Sequence, residues 1–226
     1  MDSDSTSPPS PGVLSPKQER SRRTQEKILA AAERMLRRRL LDELTVTGIA
    51  REAGVSVGAF YARFESKDAL VPAIGDRYAE TLEDASHHLL RLEAWEGLDL
   101  EGRARRLVRL AMRVYLRNRG IIRALNLHWR THPEEVVTES LRRRRQAFDQ
   151  RLIELFLPVA PEIRHPDPAL AARFAIKLLG ALLRDVLLVP GDHPHADVHL
   201  DERGLARETT RALVSYLTCA PPRSAP

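Results

Sequence analysis

Apolar residues fall into helical rhythm along most of the chain. From Ser21 onward, Ile28, Ala31, Ala32, Met35 and Leu36 recur at the i, i+3, i+4, i+7, i+8 spacing of one buried helix face. Ser21 or Thr24 is placed to cap this helix, and Arg37 to Arg39 sit where cations suit its carboxyl end. A short second helix follows Thr45, with Ile49, Ala50 and Ala53 inward. Gly54 then interrupts, Ser56 caps a third helix carrying Phe60 and Phe64, and Ser66 caps a fourth running from Lys67 to about Leu92. Further helices are predicted at Glu101–Asn118, Ile121–Thr131, Pro133–Leu157, Pro168–Val189 and Asp201–Thr218. Their stops are Gly120, His132-Pro133, the prolines from Pro158 to Pro168, and Pro190-Gly191. No strand pattern and no internal repeat interrupts this reading. The predicted fold is all-α with about nine helices.

Composition narrows the picture. At 226 residues and 43% hydrophobic, the chain can bury a real core, yet it contains no run approaching the roughly 18 apolar residues of a membrane span. The longest apolar patch, Leu178 to Val189, is broken by Arg184 and Asp185. Residues 1–16 are rich in Ser and Pro and lack the apolar stretch of a secretory signal, so they are expected to be a disordered tail. The single Cys219 excludes an intrachain disulfide and suits a reducing cytoplasm. The net charge is +5, and residues 16–70 hold twelve Lys or Arg against eight Asp or Glu, a modest footprint for nucleic acid.

The candidate chemistry concentrates in residues 45–64, TVTGIAREAGVSVGAFYARF. Two short helices flanking a tight glycine turn have helix-turn-helix geometry. Ala50 and Ala53 are small where the helices approach, Gly54 permits the turn, Val55 closes the core beneath it, and Ser56 satisfies orphan N–H groups of the next helix. With Tyr61, Phe64, Ser66, Lys67, Ala69 and Leu70 added, the stretch from Thr24 to Leu70 resembles the DNA-binding domain of the tetracycline-repressor (TetR) family. The resemblance implies that Thr45, Tyr61 and Lys67 touch phosphates. It also implies that Val57, Gly58, Ala59 and Ala62 face the major groove, that Ser56 begins the reading helix, and that Arg63 lies at its edge. Two positions depart from the family's habit: Thr47 and Val57 stand where long cations are common, so base contacts are expected to lean on Val57 and Ala59 against thymine methyls. Lys17, Arg20, Arg22 and Arg23 are placed to supply charge from a basic arm.

The resemblance also implies a division into the tail, a DNA-binding domain over 17–70, and a helical effector and dimerisation domain over 71–226. It implies a homodimer on near-palindromic double-stranded DNA, no cofactor, and repression relieved by a small, mostly apolar ligand. An alternative is a dimeric regulator whose second half serves only dimerisation or partner binding. The pocket is expected from Tyr78, Leu82, Leu110, Met112, Tyr115, Trp129, Phe148, Phe174 and Lys177. The last two long helices are expected to form the dimer contact through Leu178, Gly180, Ala181, Leu182, Leu205, Ala212, Leu213 and Tyr216. The Arg142–Arg145 run is expected to be a solvated or inter-subunit face. No phosphate-binding loop, zinc-protease or nucleophile-elbow motif occurs, which argues against an enzyme. The loop with Asp192, His193, His195, Asp197 and His199 has no compact metal-ligand spacing, and a solvated loop is expected there.

Overall fold

The computed structural model describes residues 16–132, 139–188 and 200–219. Nine α-helices lie among the described residues, with no strand: α1 (Pro16–Leu36), α2 (Val46–Ala53), α3 (Val57–Tyr61), α4 (Val71–Leu89), α5 (Leu100–Arg117), α6 (Arg119–Thr131), α7 (Glu139–Glu154), α8 (Pro168–Leu188) and α9 (Glu202–Thr218). No described helix is long and apolar enough to cross a membrane. The expected tail and the His-rich loop lie outside the described residues, as does the predicted start of α7 at Pro133.

Helices α3, α4 and α7 end about a turn early, at Tyr61, Leu89 and Glu154, and three further boundaries differ from expectation for a local reason. Helix α1 begins at Pro16, more than a turn before Ser21. Proline is well suited to a first turn, and Glu19 pairs with Arg22 at 3.3 Å and Arg23 at 2.8 Å along the polar surface. Thr24 is therefore interior, its hydroxyl donating to the Arg20 carbonyl at 2.9 Å. Helix α4 starts at Val71 after a 3-10 turn at Asp68–Leu70, and Ser66 caps that turn by accepting from the Ala69 N–H at 3.1 Å. Gly120 is not a stop at all but lies in the first turn of α6.

Two hydrophobic cores divide the molecule. The first gathers Ile28 and Leu36 of α1, Ile49 of α2, Phe60 of α3, Ile74 of α4 and Ile121 of α6. The second gathers Val108 and Met112 of α5, Leu155 after α7, Leu179 and Leu183 of α8, and Leu217 of α9. Helix α6 thus closes the amino-terminal core from beneath. A side chain at Gly120 would put its Cβ 2.0 Å from the Leu36 carbonyl oxygen and 2.5 Å from that of Arg39, so only glycine allows this approach.

Charged side chains fasten α4 on both sides. Arg77 pairs with Glu33 of α1 at 2.6 Å and with Glu26. Desolvation opposes its charge, but the two carboxylates prevail and raise its pKa. Further along, Arg144 of α7 pairs with Glu83, and Arg151 donates to the Ser86 hydroxyl at 2.9 Å. Arg144 therefore turns towards α4, unlike the solvated or inter-subunit face expected of its run. In the second core, Arg103 is buried with its guanidinium donating to the Leu98 and Leu155 carbonyls at 2.9 and 2.6 Å, which satisfies a charge that would otherwise be costly there.

Candidate nucleic-acid interface

The candidate interface is assembled from backbone requirements. Thr45 begins α2, its hydroxyl accepting from the Gly48 N–H at 3.0 Å. Gly54 ends α2 at φ 66°, ψ 38°, a left-handed conformation that costs a residue with a Cβ about 1 kcal/mol or more. The chain then reverses, and the Val55 N–H bonds the Ala50 carbonyl at 3.0 Å. Ser56 starts α3 by accepting from the Ala59 N–H at 3.1 Å.

This arrangement leaves Ser56, Val57, Gly58, Tyr61 and Ala62 exposed, with Thr45 and Thr47 exposed at the amino end of α2. Ala59 is half-buried. Tyr61 is 55% exposed while its neighbour Phe60 is fully buried, and the two rings meet edge-on at 5.6 Å. The tyrosine is thereby anchored at its base with its hydroxyl free to turn outward.

The two cations expected at the rim behave differently. The Lys67 ammonium donates to the carbonyls of Leu41, Asp42 and Leu44 at 3.0, 3.3 and 3.3 Å, filling its three donors with the backbone that leads into α2. Arg63 donates to the Ser21 and Ala59 carbonyls at 3.2 and 2.9 Å. In this conformation both bind the protein's own backbone rather than projecting outward. Three carbonyls gathered around the 3-10 turn Leu41–Glu43, one of which also accepts from the Leu44 N–H at 3.0 Å, draw Lys67 in, and no sequence motif announces them.

The residues expected in an effector pocket do not converge on one place. Tyr78 packs against the amino-terminal core, whereas Leu110, Met112, Tyr115 and Phe148 pack with the second. Burial raises the Tyr78 phenol well above its usual range, with a smaller contribution from Tyr115. Tyr115 donates to the Gly180 carbonyl at 3.4 Å. Leu82 and Trp129 are half-buried, the latter edge-on to His128 at 5.1 Å. Lys177 is exposed, and the Asp149 carboxyl of α7 is raised by desolvation against the pull of Arg145 and Lys177.

Phe174 lies elsewhere again. Leu170, Phe174, Leu178, Leu182 and Val186, spaced by four along α8, are each 38–49% exposed and form an apolar stripe, with Tyr216 of α9 against Phe174 at 5.3 Å. Of the residues expected at the dimer contact, Leu178, Ala181, Leu182 and Ala212 face outward. Leu205 and Leu213 turn into the second core, and Gly180 faces Tyr115. No group of three metal-ligating side chains occurs among the described residues.

Comparison with known proteins agrees with this geometry. Residues 28–74 match the family model of bacterial regulatory proteins, tetR family, and residues 99–217 match that of the tetracyclin repressor-like C-terminal domain. The HTH-type transcriptional regulator YvdT of Bacillus subtilis (strain 168) is 43% identical over 51 residues, 23% of this chain, and the match spans about a quarter of that relative's length (26%). Among solved structures, a TetR-family transcriptional regulator from Mesorhizobium loti MAFF303099 superposes with a TM-score of 0.59 at 20% identity, covering 88% of this chain and 96% of that one. RolR in complex with resorcinol superposes at 0.55 with 18% identity, covering 88% and 90%. At these identities the superpositions establish the fold alone.

Proposed function

The chain belongs to the TetR family of bacterial DNA-binding transcriptional regulators, and from that premise we propose that it is a homodimeric repressor of a near-palindromic operator, released by a small, mostly apolar molecule. The observation that carries this reading is the exposed edge of α3, where a buried Phe60 holds Tyr61 outward beside Val57 and Gly58. Val57, Gly58, Ala59 and Ala62 would meet base edges and thymine methyls. Ser56, Thr45, Thr47 and Tyr61 would meet phosphates, with Arg63 swinging from its carbonyls at the groove's edge. Lys67 acts one step back, holding the approach to α2 in place. The apolar stripe of α8 with Tyr216 supplies the surface for a second copy, since five half-exposed large side chains in a row favour burial.

For the effector, the place we favour is beside Tyr78, a half-buried phenol on α4, the helix that Arg77 and Glu33 fix to α1. The resorcinol carried by RolR, a protein of the same fold, makes a phenol-sized probe a sensible first choice. A ligand there shifts DNA binding only by its differential affinity for the two arrangements of α4.

Selection of bound sequences from random DNA should return a palindrome with half-sites about 34–36 Å apart, or a multiple, and sedimentation should find two chains on it. One chain on one half-site refutes the dimer. Titrating resorcinol into free and operator-bound protein should give weaker binding in the complex, by the same factor by which resorcinol weakens the operator. Equal affinities remove release by that compound.

A further inference from the structure

Helices α5 and α9 pack side by side, and two adjoining grooves of about 590 and 550 Å³ run between them, sharing Arg109, Arg203 and Ala206 in their walls. Arg105, Arg109 and Arg113 stand on the α5 side; Arg203, Arg207 and Arg211 stand on the α9 side. Each row steps by four residues, which sets neighbouring guanidiniums about 6 Å apart along the helix. Arg106 makes a seventh, its guanidinium 5.0 Å over the Trp95 ring. Glu101 and Glu202 share the lining and Glu208 pairs with its arginines, so seven cations face three carboxylates, a local excess of four.

Partners within the protein answer part of this charge. Arg105 pairs with Glu101, while Arg207 and Arg211 share Glu208 at 3.2 and 3.9 Å. Arg109, Arg113 and Arg203 are exposed and make no ion pair with a described residue. Two of these three line both grooves. The floor is different in character: Ala206 and Val214 on one side, Met112 and Leu116 on the other.

We propose that this groove binds a small organic molecule bearing a chain of phosphates, its phosphates held between the two arginine rows and its organic part laid on the apolar floor. Guanidinium is permanently charged and matches phosphate oxygens in a bidentate fork, so two facing rows suit successive phosphates. The charge density favours this class over an acidic peptide, which would need several carboxylates in immediate succession to answer the same excess. Packed helix axes stand about 8–10 Å apart, too close for a duplex to enter between them. The site is separate from α3 and from Tyr78, and the proposal stands without either.

Calorimetry on the full-length protein at fixed ionic strength tests it, with ATP and inorganic tripolyphosphate as separate probes. Arg109→Gln with Arg203→Gln should weaken both probes at least tenfold. Arg130→Gln, an exposed cation on α6 outside the groove, should change them less than twofold. ATP binding more tightly than tripolyphosphate is expected from the apolar floor. The proposal is overturned if neither probe binds, if the Arg130 variant weakens binding as much as the groove pair, or if tripolyphosphate binds while ATP does not. It is equally overturned if a single-stranded oligonucleotide or an oligo-glutamate peptide outcompetes ATP. Both groove side chains are exposed, and thermal melting matched to wild type checks that the variant is folded. Should it not match, Arg113→Gln read on its own by the same titration carries the same expectation in smaller measure.

Discussion

The amino-terminal unit and the helical half bury their cores by different means. In the first, two helices of eight and five residues are held by single groups: the Thr45 and Ser56 hydroxyls at their starts, Gly54 at the reversal, Lys67 behind. In the second, helices of 16 to 21 residues are held by whole apolar faces, with buried Arg103 tying α5 to the end of α7. Short elements gain little from propensity and depend on caps and turns; long ones rest on packing. A unit of the first kind tolerates few changes but fixes its exposed face closely. A half of the second kind leaves its outer surface free for other uses, and this one carries an apolar stripe on α8 and an arginine groove beside α9.

The largest expected effect comes from a change confined to the second half and read out at the first. Leu178→Asp with Leu182→Asp alters only the outer face of α8, yet should convert the proposed dimer to a monomer with unchanged helix content. Operator affinity should fall at least a hundredfold, a loss of about 2.7 kcal/mol. Ultracentrifugation and fluorescence anisotropy check both parts; a persistent dimer on the double variant contradicts the interface.

A smaller effect probes the seam. Gly120→Val forces α6 away from the Leu36 and Arg39 carbonyls and should lower stability by about 3 kcal/mol in a thermal melt. Gly180→Ala, whose new methyl meets chiefly the mobile end of Arg184 at 3.3 Å, should cost far less.

The finest distinction lies within the candidate interface. Tyr61→Ala should flatten the salt dependence of DNA binding by roughly 0.9 in log–log slope, on operator and random DNA alike, with an unchanged melting temperature. Lys67→Met should do the reverse, lowering stability by about 2 kcal/mol while leaving the slope as it was. A changed slope for Lys67→Met would return that residue to the phosphates.

How much of this was readable beforehand follows the same contrast. Thr45, Gly54, Ser56 and Phe60 announce their places because a cap, a left-handed turn and a buried ring each admit few residue types. The all-helical class and most helix positions followed from periodicity. What periodicity does not carry is the choice between two apolar faces: Leu178 and Leu213 look alike in sequence, yet one lies on the surface and the other in the core. Nor does it reveal long-range polar partners such as Lys67 with Leu41, or Arg77 with Glu33, where residues 26 and 44 apart are joined by tertiary folding.

The early start of α1 changes what its basic residues are. Lys17, Arg20, Arg22 and Arg23 ride on a rod of 21 residues, about 31 Å long, rather than on a rope. Arg63 grips that rod at the Ser21 carbonyl, so its direction is set relative to α3. A rope would sample many positions and lose that freedom on meeting a polyanion, roughly 1–2 kcal/mol for each backbone residue brought to rest. The rod has little of that freedom left to lose, and its charges arrive at a fixed distance from the reading helix on every approach.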